Sequence, residues 1–61
     1  MKLTIGKFYV IVFDVKGKAL TFHCKIDELD EFFVTFTDKF NKQLTYNLKN
    51  IISFEEVDYG I

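Results

Sequence analysis

The residue types that most often do chemistry in proteins are few in this chain, and their spacing keeps them apart. The single histidine and the single cysteine, His23 and Cys24, are adjacent. Adjacent side chains in a β-strand point to opposite faces, so these two groups cannot share a proton or a metal ion. We expect Cys24 to be a small buried hydrophobic residue and His23 to lie on the surface.

Two acidic runs, Asp27–Glu31 and Glu55–Asp58, are candidates for a carboxylate pair or a calcium site. Calcium loops need regularly spaced oxygen ligands and a glycine at the sharp turn, and neither run contains a glycine. We therefore expect both runs to be solvated surface charge. The chain also lacks a phosphate-binding glycine loop, zinc-ligand spacing and a nucleophile elbow. No catalytic, cofactor-binding or metal-binding residue is predicted, and we expect the protein not to be an enzyme.

A phenylalanine between lysines is a stronger candidate for a contact. Phe40 lies between Lys39 and Lys42, an arrangement that can stack on a nucleobase while the amines meet phosphates. The same ring can anchor in the pocket of a partner protein, or fold back over the end of the domain as a lid. All eight basic residues are lysines and the net charge is −1, whereas nucleic-acid-binding domains usually carry a basic excess and arginines.

β-Strands must position these residues, because alternation of apolar and polar residues dominates the chain and no segment has a helical stripe. The predicted first strand, Leu3–Val15, is interrupted by a bulge or bend at Gly6. A two-residue turn, Lys16–Gly17, leads into a second strand, Lys18–Ile26, and sets the register of the pair. The residues that this register places on the core face of the first strand are Tyr9, Ile11 and Phe13.

The opposite face of the first strand carries the apolar residues Phe8, Val10 and Val12. We expect the strand order to place Phe33 near His23 on the same side. A contiguous apolar patch on a monomer usually marks an interface, so these five residues are the predicted protein contact surface. The alternative is that the first strand coils so strongly that both of its faces are buried inside a small barrel.

The rest of the chain predicts a second hairpin and a last strand. The loop Asp38–Lys42, in which Asn41 tolerates a left-handed conformation, pairs Thr37 with Gln43. In this register Phe32, Val34 and Phe36 face the core opposite Leu48, Tyr46 and Leu44. Other expectations are a helical turn within Asp27–Glu31 or at Leu48–Asn50, a last strand at Ile51–Val57 and a loose tail at Asp58–Ile61.

Five short strands, with a long bent first strand and a tight turn before the last one, resemble the SH3-like and Sm-like small barrels. The residues that carry the resemblance are Gly6, the Lys16–Gly17 turn and the segment Tyr46–Ile52. It implies an all-β, five-stranded antiparallel barrel, and the alternative is an open, strongly bent meander that dimerises. Neither the proline-binding groove of SH3 domains nor the RNA-binding signature of Sm proteins is identifiable.

Length and composition limit the remaining possibilities. The 61 residues predict one domain spanning 1–61. A lone cysteine allows no intrachain disulfide and favours a reducing, cytoplasmic setting. The longest apolar run, Phe8–Phe13, is too short to cross a bilayer, so we expect no membrane partner.

The sequence as a whole favours a non-catalytic module that binds another protein or forms a homo-oligomer. A lysine-, asparagine-, isoleucine- and phenylalanine-rich chain without arginine is typical of an AT-rich genome, which suggests a bacterial or phage accessory protein that modulates or inhibits a host protein. The competing hypothesis is a small nucleic-acid-binding barrel that uses Phe40, Lys39 and Lys42, with a contribution from Lys49.

Overall fold

The strands of the protein follow the alternation in its sequence. The computed structural model describes residues 2–58. Its antiparallel strands form one five-stranded sheet in the order β4-β3-β2-β1-β5. The strands are β1 (Phe8–Val15), β2 (Lys18–Leu29), β3 (Phe33–Asp38), β4 (Gln43–Asn47) and β5 (Ile51–Val57). The all-β, five-stranded prediction is confirmed, and across the described residues the sheet stays open instead of closing into a barrel.

The hairpin of β1 and β2 has the predicted register. Lys16 and Gly17 have φ values of 54° and 82°, the two positive angles of the type I′ turn that suits the twist of a hairpin. The pairing runs without a shift from Val15 with Lys18 to Phe8 with Lys25. The core face therefore consists of Tyr9, Ile11 and Phe13, all of them buried.

The bend at Gly6 is confirmed, but it precedes the strand instead of interrupting it, since β1 begins at Phe8 and not at the predicted Leu3. Gly6 has a φ of 88° in a turn closed by the Lys7 N–H, which donates to the Thr4 carbonyl at 3.2 Å. Ile26 holds this segment against β2, because its carbonyl accepts from the Gly6 N–H at 2.8 Å and its N–H donates to the Lys7 carbonyl at 3.1 Å. The turn brings Leu3 back onto the core, where it is buried.

The helical turn predicted within Asp27–Glu31 is wrong, because β2 continues to Leu29. The register between β2 and β3 shifts between Ile26 and Glu28, so Asp27 is the extra residue of a β-bulge. The Asp27 carboxylate accepts hydrogen bonds from the Thr37 hydroxyl and, at 3.2 Å, from the Gln43 side-chain amide. Pairing with β3 satisfies more backbone groups here than a single helical turn would.

Asp30 shapes the turn between β2 and β3. Its Oδ1 accepts hydrogen bonds from the N–H groups of Phe32 and Phe33, both at 2.8 Å. These backbone bonds lower the pKa of Asp30 below its ordinary value of 3.8. The turn directs the Phe32 side chain into solvent, where it is 61% exposed. The predicted core position of Phe32 is therefore wrong, although its carbonyl accepts a hydrogen bond from the Leu48 N–H at 2.8 Å.

The second hairpin and the last strand agree with the sequence. The pairs of β3 and β4 run from Phe33 with Asn47 to Thr37 with Gln43. The tight turn before β5 is a 3-10 helical turn at Leu48–Asn50, where Asn47 Oδ1 accepts from the Lys49 N–H at 2.9 Å. The last strand has the predicted bounds. Of the tail expected to be loose, residues 59–61 lie outside the described residues.

Aromatic rings fill the centre of the core. The ring of Phe13 stacks on that of Phe36 at a centroid distance of 5.6 Å, and Tyr46 lies 4.8 Å from Phe13. Phe22 completes the cluster at 5.2 Å from Phe36. Leu20, opposite Phe13 on β2, is 37% exposed because the pairing of β2 with β3 begins only at Cys24.

Substitution of a core residue on β1 should prevent folding. We expect Ile11→Asp to unfold the protein, because a charge in this fully buried position costs several kcal/mol, comparable with the roughly 5 kcal/mol that stabilises a small domain. Val10→Asp is the matched control, since Val10 is on the other face of the same strand. Circular dichroism and thermal unfolding of both variants make the test. A cooperatively folded Ile11→Asp protein would refute the register of the first hairpin.

The Asp30 turn predicts a pH dependence of stability. A carboxyl group whose pKa is lower in the folded state stabilises the fold above its unfolded-state pKa and loses that contribution as the pH falls. We therefore expect Asp30→Asn to be less stable than the unmodified protein at neutral pH, with the difference disappearing in acid below the ordinary pKa of 3.8. Thermal unfolding across this pH range measures it, and a difference independent of pH would contradict the role of the charge.

Candidate interaction surfaces

The outer face of the sheet carries the predicted apolar stripe, which we call the outer stripe (Phe8, Val10 and Val12). Its strand, β1, is flanked by β2 and β5. All three residues are half-buried, so the alternative that both faces of β1 are fully buried is wrong. Part of each of the three side chains is exposed to solvent. The stripe is therefore accessible along its length.

Five of the six residues that border the outer stripe are polar. The register pairs Phe8, Val10 and Val12 with Lys25, His23 and Thr21 on β2, and with Val57, Glu55 and Ser53 on β5. The flank on β2 thus carries the positive charge of Lys25, and the flank on β5 carries the negative charge of Glu55. An apolar row between oppositely charged flanks can select both a partner and its orientation.

The structure does not bring all five residues of the predicted contact surface together. His23 is exposed beside Val10, as expected. Phe33 is exposed too, but the β2–β3 ladder runs from Cys24 with Asp38 to Leu29 with Val34. This register puts Phe33 at the end of the ladder away from His23, so the expectation that they lie together is wrong. The stagger between β2 and β3 decides their separation.

An exposed aromatic pair at the β2–β3 turn was not predicted as a site. Phe32 and Phe33 are adjacent and both exposed, because the hydrogen bonds to Asp30 hold them at a turn. The sequence signal for this pair is the aspartate two residues before Phe32, which is typical of a turn that the aspartate side chain closes.

A shallow groove extends from one end of the outer stripe. It has a volume of about 390 Å³, with Phe8 on one side and Lys39 and Asn41 on the other. The Lys25 Nζ lies 5.9 Å from the centroid of the Phe8 ring. Within residues 2–58 no cluster of three or more His, Cys, Asp or Glu residues could hold a metal ion. The groove has both lysine and aspartate side chains in its lining, beside the ring of Phe8.

Phe40 is a contact candidate and not a lid. Its side chain is 73% exposed, and the Lys39 Nζ lies 5.4 Å from the centroid of its ring. Asn41, with a φ of 66°, ends the loop in the left-handed conformation that was expected. The Asp38 carboxylate accepts hydrogen bonds from the N–H groups of Phe40 and Lys42, both at 2.9 Å. The loop that presents Phe40, Lys39 and Lys42 is therefore held by its own backbone contacts.

Cys24 is placed where it cannot act as a nucleophile. The residue is fully buried. Burial, and secondarily the carboxylates of Asp27 and Asp38, raises the pKa of its thiol to about 12. The thiol is therefore protonated at neutral pH, whereas thiol chemistry needs the thiolate. No helix in the described part of the chain is long and apolar enough to cross a membrane.

The burial of Cys24 predicts slow alkylation. We expect iodoacetamide to label the folded protein at neutral pH only as fast as the protein unfolds, because the thiol is buried and its pKa is about 12. The same protein in denaturant should react at the rate of a free cysteine. Mass spectrometry follows the labelling, and rapid stoichiometric labelling of the folded protein would contradict the burial.

The outer stripe and the Phe40 loop are thus the predicted sites that the structure leaves accessible. No protein-family model, curated protein or solved structure matches the chain.

Proposed function

We propose that the protein is a non-catalytic protein-binding module whose contact surface is the outer stripe. The observation that carries the proposal is the half-buried apolar row of Phe8, Val10 and Val12 on a strand flanked on both sides, on the face opposite the core. Sheets that present apolar residues on a second face commonly pack against another layer, because burying that area is favourable.

The polar residues beside the outer stripe support a second copy of the chain as a partner. Two sheets stacked face to face keep their strands roughly aligned. A two-fold axis parallel to β1 then places β2 of one copy over β5 of the other. His23, paired with Val10 on one flank, would face Glu55 of the second copy, which is paired with Val10 on the other flank. This arrangement joins the apolar rows and brings a ring N–H donor towards a carboxylate acceptor.

The finer features of the proposal depend on composition. A lone cysteine and the absence of arginine support a cytoplasmic accessory protein of bacterial or phage type that modulates a host protein. We also keep the SH3-like and Sm-like resemblance as a proposal, and the bend at Gly6 and the 3-10 turn before β5 support it.

Substitution on the outer stripe should separate association from folding. We expect Val10→Asp to remain folded and to lower the apparent mass at high concentration to that of a monomer, because the charge disrupts an apolar interface. Ile52→Asp is the matched control: Ile52 is 59% exposed and lies outside the stripe. Sedimentation equilibrium over a range of concentrations makes the measurement. A monomeric unmodified protein at every concentration would rule out the second copy as a partner.

The exposure of Phe40 beside Lys39 favours nucleic acid as the second candidate partner. Phosphate contacts make affinity fall steeply with salt, whereas an apolar interface responds little. If this candidate is correct, a single-stranded oligonucleotide should bind with a steep salt slope that Phe40→Ala abolishes. Under our proposal the oligonucleotide does not bind in this way. Fluorescence anisotropy at several salt concentrations distinguishes the two, with Phe32→Ala as the control for an exposed phenylalanine elsewhere.

A further inference from the structure

One length of β2 has a neighbouring strand on one side only. The strand spans Lys18–Leu29, but its pairing with β3 begins at Cys24 with Asp38. The segment Lys18–His23 therefore pairs with β1 alone. We call it the open edge. No other described strand approaches it, and apart from half-buried Phe22 all its residues are exposed.

The alternation of hydrogen-bonded pairs in the hairpin shows which backbone groups of the open edge point away from β1. In a two-residue hairpin the residues next to the turn, here Val15 and Lys18, exchange hydrogen bonds, and every second residue repeats this. Ile26 fits this alternation, because its hydrogen bonds to Gly6 and Lys7 are on the side of β1. The residues whose N–H and C=O groups point away from β1 are therefore Ala19, Thr21 and His23.

A cleft lies beside these free groups. It has a volume of about 250 Å³ and is bordered by Thr21–His23 on one side and by Asp38, Lys39 and Phe40 on the other. Leu20 and Phe22 border the core side of the edge, and Leu20 is partly exposed. Proteins usually protect an edge strand with proline, with charges along it or with a bulge. The open edge has a lysine at its first residue and none of these devices in its middle.

We propose that the open edge binds an extended segment of a partner protein, which adds to the sheet as a further strand in line with β3. The outward-pointing groups of Ala19 and Thr21, which lie beyond the end of the β3 ladder, would bond its backbone, as in other cases of strand addition. Apolar side chains at alternate positions of the segment would cover Leu20 and Phe22 on the core side and contact Phe40. This surface is separate from the outer stripe, so the proposal goes beyond the proposed function and does not depend on it.

The charges around the cleft specify the chemistry of the segment. Lys18 lies at one end of the open edge and Lys39 borders the cleft at the other, while Asp38 Oδ1 accepts from the N–H groups of Phe40 and Lys42. A segment with acidic residues at both ends fits these lysines. The same charges disfavour a second copy paired through its own open edge, because antiparallel pairing would bring its Lys18 towards Lys39.

A blocked synthetic hexapeptide tests the proposal, with glutamate at both ends and alternating valine and threonine between them. We expect it to shift the amide NMR signals of Ala19–His23, Lys39 and Phe40 and to slow hydrogen exchange at Ala19 and Thr21. Two further peptides are N-methylated, one at the odd positions and one at the even positions. We expect one of them not to bind and the other to bind as before, because only one set of amides faces the edge. Absence of shifts up to about 1 mM peptide, a weak-binding limit, would overturn the proposal.

Thr21→Pro is the matching change in the protein, since proline removes one free N–H at an edge position without breaking the ladder to β1. We expect at least about tenfold weaker binding, or roughly 1.4 kcal/mol, while Thr21→Ala, which keeps the N–H, binds as before. If Thr21→Pro does not fold, the two N-methylated peptides decide the question. Three results would overturn the peptide as the occupant. They are an equal loss of binding by both N-methylated peptides, shifts centred on the outer stripe, and the same shifts appearing with protein concentration alone.

Discussion

The turn at Lys16–Gly17 decides which side of β1 faces the core. Because both residues adopt positive φ, the turn contains two residues, and every pair from Val15–Lys18 to Phe8–Lys25 follows from it. A turn longer by one residue would exchange the faces of one strand relative to the other. Tyr9, Ile11 and Phe13 then could not pack beside Cys24 and Ile26. The remaining features of the molecule depend on this register.

The register of the first hairpin produces the core and both candidate surfaces. On one face it brings Phe13 to Phe36 and Tyr46, which join β1 to the second hairpin through ring contacts. On the other face it leaves the outer stripe, with Lys25 on one flank and Glu55 on the other. In the plane of the sheet it turns the backbone groups of Ala19, Thr21 and His23 away from β1. One local geometry therefore determines side-chain burial, surface patterning and edge chemistry.

The two proposed binding modes use different parts of the molecule and are compatible. Stacking through the outer stripe would cover a face of β1, whereas strand addition would extend β2 in the plane of the sheet. His23 is common to both, since its side chain is on the outer face and its backbone is on the open edge. A partner strand could thus influence association through this residue, although the apolar contacts of the two modes are distinct.

The sequence by itself determined the local features of this protein. Turns at Gly6, Lys16–Gly17 and Asn41 follow from residue type, and the two hairpin registers follow from loop length and alternation, so the core residues of β1 were predictable. Tertiary structure alone decided the bulge at Asp27 and the separation of Phe33 from His23. These depend on the stagger of β3 against β2, which joins strands through a turn whose geometry the Asp30 hydrogen bonds set. Nothing in the alternation of either strand specifies where that pairing begins, so the open edge became apparent only in the assembled sheet.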